Sequence, residues 1–335
     1  MRTTLKQVAD DAGLSIATVS RALRRKKRRY SANEEKIYAA ARKLGYPFIG
    51  ELDISDKTTI ALVTEIRQGE FYSSLFHGLH MATRDSKSEI VFINVDAKNK
   101  DHDWHEDPVN FIINLSKKYS GICLFLPGLD KGSYASIKKG VGTYPIVSLI
   151  AGKNLKVDTV SFDSYSGGYM IAKHFEEVGY SEMGIITGPG NVMDSSLRKN
   201  GFVDHINEKA KLELSWSFEG DFSTESGSQA FLNFKEKGLK KIAIFGCNDH
   251  SCFGFMKAAN EHGYKIPDDF IIAGFDNLSF CESITPELTS ISTDFESLGK
   301  QAIRTIENMV SEKKEIIGQV SMIPVNIIIR RSTKA

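Results

Sequence analysis

The chain has 335 residues, 41% of them hydrophobic, and a formal net charge of +1 at pH 7. That length allows about two or three domains with substantial cores, and no apolar run approaches the roughly 18 residues of a membrane-spanning helix. The N-terminal residues lack the apolar core of a secretory signal, so we expect a cytoplasmic protein.

Positive charge is concentrated at the start of the chain. Residues 1–50 contain 12 Lys and Arg against 4 Asp and Glu, whereas the remainder contains 31 basic and 38 acidic residues. A cationic segment joined to an anionic body is typical of a protein that binds a polyanion through that segment.

Three short helices are predicted in residues 1–50. The first begins at Thr4, which has a glutamine three residues later as in a capping box. Gly13 permits the tight turn that follows, and Ser15 can cap the second helix. The third helix begins at Ser31, again with capping-box spacing, and ends at Gly45.

The second helix has an unusual outer face. Helical spacing turns Val19, Ala22 and Leu23 inward and leaves outside Ile16, Ala17, Thr18, Ser20 and Arg21. Small residues let a helix enter the major groove, hydroxyls reach phosphates, and an arginine can donate two hydrogen bonds to guanine. This face favours DNA binding over a purely structural helical module.

The segment VADDAGLSIATVSRAL, at residues 8–23, followed by a helix ending in LGY, resembles the DNA-binding head of the LacI-type transcriptional regulators. The resemblance implies that the second helix lies in the major groove. It assigns base contacts to Ile16, Ala17 and Arg21. It assigns contacts with the DNA backbone to Thr4, Ser15, Thr18 and Ser20.

Six consecutive cations follow this helix: Arg24, Arg25, Lys26, Lys27, Arg28 and Arg29. Such a run is usually a solvated loop or a targeting signal, but beside a helix docked in DNA it favours contact with the flanking phosphates. The family usually has a less basic loop here.

Residues 46–59, YPFIGELDISDKTT, depart further from the family. Its members usually have an alanine–arginine–x–leucine hinge that forms a helix in the minor groove and kinks the DNA. This stretch is shorter and carries acidic residues, with Ile49 or Leu52 as an alternative wedge between base steps. We hypothesise that the basic run replaces, by charge, the affinity of the missing hinge.

From residue 58 onward, apolar β-rich runs alternate with helical patterns. Strands are predicted at residues 59–63, 90–95, 121–126, 144–150, 157–162, 183–188, 241–246 and 269–275. Helical patterns such as residues 165–179 and 251–263 separate most of them. The alternation predicts parallel, doubly wound α/β sheets, and roughly 270 residues favour two similar lobes.

The body resembles the LacI-type regulatory domain, which is similar to periplasmic sugar-binding proteins. The resemblance rests on SFDSYSGGYMIAKHF (161–175), SLRKNGF (196–202), CNDHSCFG (247–254), IPDDFIIAGFDN (266–277), ITPELTSI (284–291) and IIIRRST (327–333). It implies an all-α helix-turn-helix head at residues 1–50, a shortened linker at 51–58, and a two-lobed effector-binding and dimerisation domain at 59–335.

The resemblance also implies an effector pocket between the lobes, beyond the carboxyl ends of the strands. Its residues would be Phe71, Tyr72, Arg198, Phe222, Asn248 and Asp276. Aromatic faces stack on sugars, and a buried Arg and Asp can hydrogen-bond vicinal hydroxyls. The alternatives are that the phenylalanines belong to the core, that Asn248 and Asp276 cap helices or tie loops, and that Arg198 is structural. Ile150 stands where the family often has a polar ligand contact, which makes one wall less polar.

Three further patterns resemble functional motifs. DHDWHED, at residues 101–107, crowds two His and four acids but lacks the spacing of a helical zinc motif, which favours solvated charge at a helix start. The glycines at residues 188 and 190 lack the third glycine of a dinucleotide loop. Four cysteines without a CxxC pair favour reduced, mostly buried thiols.

We therefore expect a ligand-responsive transcriptional regulator, favoured as a repressor, that binds a near-palindromic operator as a homodimer. The effector is expected to be a sugar or a sugar derivative. No cofactor, metal or catalytic set is expected. The rivals are a sugar-transport protein, opposed by the helix-turn-helix, and an enzyme, for which no reactive constellation is found.

Overall fold

The computed structural model describes residues 3–24, 31–46, 58–65, 69–84, 86–95, 104–152, 156–312 and 318–334. The chain divides into two compact units, residues 1–57 and residues 58–335. Residues 25–29 and 47–57 lie outside the described residues. The predictions made for the basic run, the linker boundaries and the wedge residues Ile49 and Leu52 therefore remain predictions.

The first unit contains the predicted helices: α1 (Leu5–Ala12), α2 (Ile16–Arg24) and α3 (Ala32–Lys43). The predicted caps are confirmed. Thr4 and Ser31 each form a complete capping box, and the Ser15 hydroxyl accepts a hydrogen bond from the Thr18 amide at 3.2 Å. Gly13 has φ +65°, a conformation that glycine adopts without strain. Small side chains from all three helices form the core: Val8, Ala9, Val19, Ala22, Ile37, Ala40 and Ala41.

The described part of the second unit contains two six-stranded sheets, one in each lobe. The first sheet is wholly parallel and is formed by β1 (Thr58–Thr64), β2 (Ser88–Asn94), β3 (Gly121–Phe125), β4 (Ile146–Ser148), β5 (Asp158–Phe162) and β11 (Val320–Ile323). The second is formed by β6 (Glu182–Thr187), β7 (Glu213–Glu219), β8 (Ala243–Gly246), β9 (Ile271–Asp276), β10 (Thr289–Ser292) and β12 (Asn326–Ile328). In the second sheet β12 pairs antiparallel with β10, and the other pairs are parallel.

The strand orders show where the chain crosses from one lobe to the other. The first sheet runs β11-β5-β4-β3-β1-β2 and the second runs β12-β10-β9-β8-β6-β7. The chain therefore passes from the first lobe to the second after β5, returns after β10, and leaves again between β11 and β12. Each lobe therefore contains separate stretches of chain, and three connections join the two lobes.

Helices cover the sheets as the alternating pattern predicts. Helices with the first sheet are α4 (Glu70–Ala82), α5 (Pro108–Leu115), α6 (Lys131–Val141) and α11 (Phe295–Glu312). Helices with the second sheet are α7 (Ser164–Glu177), α8 (Met193–Asn207), α9 (Thr224–Glu236) and α10 (Asp249–Glu261). The two-lobed α/β prediction is thus confirmed, and no described helix is long and apolar enough to cross a membrane.

Four strands are absent from the sequence-based prediction: β7, β10, β11 and β12. Three of these, β7, β11 and β12, lie at sheet edges. Edge strands expose alternate side chains, so they lack the continuous apolar runs that mark the buried strands.

Glycines permit close packing where helices cross. A Cβ atom added at Gly168 on α7 would collide with the Arg198 carbonyl oxygen on α8, and one added at Gly201 would collide with the Tyr165 carbonyl oxygen on α7. The α9–α10 and α4–α11 crossings have glycines in equivalent backbone contact. The α7–α8 crossing sets the position of the α8 backbone at Arg198.

Candidate functional sites

The outer face of α2 has the surface that the sequence predicts. Ile16 is 46% exposed, and Ala17, Thr18 and Arg21 are also exposed. Val19 and Ala22, on the opposite face, are buried. One face of α2 therefore presents side chains that can enter a DNA groove. The opposite face carries the side chains that pack into the core of the unit.

Two tertiary contacts fix the helices of this unit. The hydroxyl of Tyr38, which is buried, donates a hydrogen bond to the Ala22 carbonyl oxygen at 2.9 Å. Lys43 on α3 lies 2.7 Å from the Asp11 carboxylate on α1. The Tyr38 contact ties the last turn of α2 to α3, so the exposed face of α2 is held in a defined orientation within the unit.

The residues assigned to the DNA backbone are partly engaged locally. Thr4 and Ser15 are exposed, and both hydroxyls cap helices. Thr18 Oγ1 lies 2.8 Å from Ser15 Oγ, and Ser20 is half-buried. Arg24 is the last residue of α2, and Arg25, Lys26, Lys27, Arg28 and Arg29 lie outside the described residues.

The second unit contains a buried charge cluster at the carboxyl ends of β8 and β9. Arg198, on α8, is 6% exposed. Its Nη1 donates to the Cys247 carbonyl oxygen at 2.6 Å, and its Nη2 lies 3.4 Å from Asp276 Oδ1. Its guanidinium carbon lies 3.7 Å from the centre of the Phe275 ring. The arginine is thus fixed on three sides.

Asn248 and Phe222 adjoin this cluster. Asn248 caps α10, since its Oδ1 accepts from the Ser251 amide, and its Nδ2 donates to the Phe222 carbonyl oxygen at 2.8 Å. The Phe222 ring fills the space beside Gly188, where a Cβ atom would collide with it. The capping role considered for Asn248 is therefore observed, together with a contact that positions Phe222.

The backbone is strained at the same place. Phe222 has φ +70°, Asp276 has φ +109° and Asn277 has φ +55°. Residues other than glycine rarely adopt such angles, and when they do they cluster at functional sites. Asp276 Oδ1 and Arg198 Nε also have no hydrogen-bond partner within the described chain, although both residues are more than nine-tenths buried.

Burial dominates the ionisation of the nearby carboxyl groups. Burial raises the pKa of Asp276 to about 8, against the lowering effect of the Arg198 charge. Burial also raises the pKa of Asp249 to about 6, although that carboxylate accepts hydrogen bonds from the Ser290 hydroxyl and the Leu278 amide. The pKa of Asp194 is raised by burial too, with Arg198 opposing. Strongly shifted pKa values of this kind mark candidate functional sites.

Phe71 and Tyr72 lie in the first lobe, in the first turn of α4. Their rings are 5.6 Å apart, and Phe71 lies 5.7 Å from Phe125 and 5.3 Å from Phe295. Both residues are half-buried. They form an aromatic wall at the carboxyl ends of β1 and β3, separate from the charge cluster of the second lobe.

One hydrogen bond links the two lobes near these groups. The Ser279 amide donates to the Glu70 carboxylate at 2.5 Å, which brings the start of α4 to the loop that follows Asp276. Ile150 is buried, and its place in a less polar wall of the pocket stays a prediction. A cavity of about 390 Å³ is lined by residues of β5, β11, α7 and α8, and its lining contains none of the six predicted effector residues.

The sequence prediction missed several members of the cluster. Asp194 lies one helical turn before Arg198 on α8, a spacing that brings the two side chains to one face. Asp249 follows Asn248, and Phe275 precedes Asp276, so both adjoin predicted residues. The four-residue spacing from Asp194 to Arg198 was the available signal.

Two of the other patterns can be compared with the structure, although residues 101–103 of the acidic segment lie outside the described residues. Asp107, in the acidic segment before Pro108, caps α5 by accepting from the Asn110 amide at 2.9 Å. No group of three or more His, Cys, Asp and Glu in the described ranges could hold a metal ion. All four cysteines are buried free thiols, as predicted.

Comparison with known proteins agrees with both units. Residues 4–47 match the family described as bacterial regulatory proteins, lacI family, and residues 172–333 match a periplasmic binding protein-like domain. The repressor PurR of Haemophilus influenzae (strain ATCC 51907) is 28% identical over 342 residues, covering 99% of each chain. The regulator DegA of Bacillus subtilis is 27% identical over 340 residues, covering 99% of this chain and 98% of DegA.

Solved structures share the fold over the whole chain. A Lac repressor dimer bound to operator and the anti-inducer ONPF has a TM-score of 0.76 at 22% identity, with full coverage of both chains. The regulator CelR in complex with cellobiose has a TM-score of 0.72 at 21% identity, covering 99% of this chain and 100% of CelR. The curated relatives are transcriptional regulators rather than enzymes. The chain therefore belongs to the lacI family of bacterial regulatory proteins and is a DNA-binding transcriptional regulator.

Proposed function

We propose that the protein is a cytoplasmic repressor that binds a near-palindromic operator as a homodimer and is controlled by a small effector, a sugar or a sugar derivative. The observation that carries this proposal is the pairing of two features in one chain. One is the exposed face of α2, and the other is the buried Arg198–Asp276 pair with unpartnered polar atoms. A DNA-reading surface and a ligand-binding cluster together make a ligand-controlled switch.

On the DNA side, α2 is the recognition helix. Its exposed residues Ile16 and Ala17 offer apolar contacts to base edges, and Arg21 can reach a guanine. Ser15, Thr18, Ser20 and Thr4 contact phosphates at the margin of the groove. The hydroxyls of Thr4 and Ser15 also accept hydrogen bonds from the Gln7 and Thr18 amides, which holds them at the starts of α1 and α2.

A homodimer supplies the second recognition helix. The related Lac repressor has been solved as a dimer on its operator, and a twofold axis places two helices on half-sites about one DNA turn apart. In this chain the edge strand β2 exposes Phe92 (42%), whose ring lies 5.0 Å from Phe76. We propose that a second copy covers this edge. Phe92→Ser should weaken the dimer about tenfold or more, whereas Val310→Ser, at an equally exposed position on α11, should not.

The effector binds between the aromatic wall and the charge cluster. Phe71, Tyr72 and Phe222 offer ring faces, and Asn248 positions Phe222. Arg198 offers its Nε–H, and Asp276 offers Oδ1, which lies in the ion pair with Arg198 but accepts no hydrogen bond from the described residues. Binding changes the relation of the lobes through the three chain connections, and this changes operator affinity. By linkage, the operator must change effector affinity by the same factor.

We further propose that residues 24–29 bind flanking phosphates and compensate for the absent hinge motif. Each phosphate neutralised steepens the log–log salt dependence of binding by about 0.9. Neutralising the six cations should therefore flatten the slope, and an unchanged slope would contradict the role of this run.

The test of the function as a whole uses the full chain and palindromic fragments from upstream of its own gene. We expect a mobility shift on at least one fragment, and a change in its midpoint when a sugar panel is added. Failure to bind any palindromic fragment in preference to scrambled DNA would overturn the proposal.

A further inference from the structure

The cavity of about 390 Å³ in the second unit is lined by residues of both lobes. They come from β5 and β11 in the first lobe and from α7 and α8 in the second, and include Thr159, Ser161, Val320, Met322, Met193 and Leu197. On the two strands, Thr159 lies in register with Val320 and Ser161 with Met322, so these four side chains share one face of the sheet. Small-molecule sites occupy about 300–1,000 Å³, and the cavity lies within that range.

Strand β5 separates this cavity from the aromatic wall of the candidate effector site. Successive side chains of a strand point to opposite faces of the sheet. Thr159 and Ser161 line the cavity. Phe162 also borders it, but its ring packs 5.2 Å from the ring of Phe295, which in turn contacts Phe71. The cavity and the aromatic wall therefore use opposite faces of β5.

On α8, the cavity and the charge cluster use different faces of the helix. Met193 and Leu197 line the cavity. The cluster residues Asp194 and Arg198 each follow one position later, about 100° around the helix. The Asp194 carboxylate accepts a hydrogen bond at 3.0 Å from the hydroxyl of Ser164, a lining residue of the cavity. The two sites are therefore neighbours joined by this hydrogen bond, and not one pocket.

One buried hydroxyl in the cavity has no partner within the described chain. Ser161 is 3% exposed, and its side chain makes no hydrogen bond with the described residues. Thr159, on the same face of β5, donates only a long hydrogen bond of 3.4 Å to the Val157 carbonyl oxygen. A buried hydroxyl without a partner is costly, and a ligand that supplies a donor or an acceptor removes that cost.

The rest of the lining offers apolar surface and little charge. Val320 and Met322 on β11 are 51% and 62% exposed, although both are apolar. The described lining contains no Lys, Arg or His. Its one acidic residue, Asp163, caps α7 by accepting a hydrogen bond from the Ser166 amide. An anion would therefore find no opposite charge in this lining, and the desolvation of its charge would not be compensated.

We infer that this cavity is an accessory binding site for an uncharged small molecule with an apolar body and one hydroxyl or N–H group that bonds to Ser161. A ligand here contacts both lobes, so it favours the arrangement of the lobes in which both sets of contacts are made. The site is distinct from the effector site of the proposed function and does not depend on the identity of that effector.

Methionine methyl groups report binding at this place in the full chain. The chain has eight methionines, and Met193 and Met322 line the cavity. The probes are three neutral compounds, each with an anionic counterpart: benzyl alcohol and benzoate, p-cresol and 4-hydroxybenzoate, and indole and indole-3-carboxylate. Nuclear magnetic resonance of protein with ¹³C-methyl methionine follows each titration, and Met193→Leu and Met322→Leu assign the two signals.

We expect at least one neutral probe to shift both signals in a saturable way, and its anionic counterpart to bind about tenfold or more weakly in comparison. A saturable shift of neither signal with any neutral probe overturns the inference. Equal or tighter binding of the anionic counterpart also overturns it.

Matched variants locate the bound probe. Val320→Asp adds a carboxylate at the cavity, and we expect it to weaken binding of the neutral probe about tenfold or more. Val310→Asp adds the same charge at an exposed position of α11 outside the lining, and binding should not change. Ser161→Ala should weaken binding about two- to tenfold, because one hydrogen bond is lost. Circular dichroism checks that the variants are folded. Equal affinities of the two aspartate variants would contradict the site, and unchanged binding by Ser161→Ala would contradict the role of the hydroxyl.

Discussion

Replacing Arg198 by methionine removes the cation that lies 3.4 Å from Asp276 and whose charge lowers the pKa of Asp194 and Asp249. The residue is 6% exposed, and its partner Asp276 is 5% exposed, so solvent screens the pair weakly. Breaking a buried ion pair by removing one partner costs about 3–5 kcal/mol, a range that includes the lost hydrogen bond to the Cys247 carbonyl. We expect Arg198→Met to lower the free energy of unfolding by about that amount above pH 8, where Asp276 is ionised, and by less at lower pH.

The pH dependence of this loss identifies its cause. Asp276 has a pKa of about 8 in the folded protein, whereas an unfolded aspartate titrates near about 3.9. The folded state therefore binds more protons within this window, and the free energy of unfolding decreases as pH rises through it and levels off above it. Without the guanidinium the pKa of Asp276 moves higher still. The decrease then continues above pH 8, by at most about 1.4 kcal/mol per pH unit for one group.

Urea unfolding followed by circular dichroism at pH 6 and pH 9 measures the effect. The deficit of Arg198→Met should be larger at pH 9. Arg198→Met combined with Asp276→Asn should recover about 1–3 kcal/mol there, because the uncompensated charge is gone. Equal deficits at both pH values, or a further loss on adding Asp276→Asn, would refute the reasoning.

Two further predictions concern packing within each unit. Gly168→Ala places a methyl group against the Arg198 carbonyl oxygen. It should lower the free energy of unfolding in urea by about 1–3 kcal/mol and weaken effector binding in calorimetry. Gly128→Ala, which has open space around it, should change neither quantity. Tyr38→Phe removes the hydrogen bond to the Ala22 carbonyl and should cost about 0.5–1.5 kcal/mol, so the amides of α2 should exchange with solvent roughly two- to tenfold faster. Unchanged exchange would show that this bond does not hold α2.

Much of the fold follows from local patterns. Continuous apolar runs predict β1, β3 and β9 because both faces of a central parallel strand are buried. β10, with the sequence TSIS, escaped prediction because its buried hydroxyls are satisfied by distant partners. Thr289 Oγ1 donates to the Arg330 carbonyl at 3.2 Å, and Ser290 Oγ donates to Asp249. Each partner is 41 residues away in the sequence, and the hydrophobic periodicity of a short segment cannot identify so distant a contact.

The candidate sites were partly predictable. The outer face of α2 follows from helical spacing alone, since Val19 and Ala22 must be buried. The assembly of Arg198 with Asp276 required the resemblance to a known family, because the two lie on different elements of the fold. Neither source indicated that Arg198 is already engaged by the Cys247 carbonyl, because that contact joins α8 to a residue 49 positions away, directly after β8.

The central claim is that α2 reads DNA sequence, and Arg21 tests it most directly. Fluorescence anisotropy can compare wild type and Arg21→Ala on the operator and on a scrambled duplex, at one fixed salt concentration. We expect a loss of about 1–3 kcal/mol on the operator and little change on the scrambled duplex. Equal loss on both would assign Arg21 to the phosphate backbone, and no loss on either would contradict the role of α2 as the recognition helix.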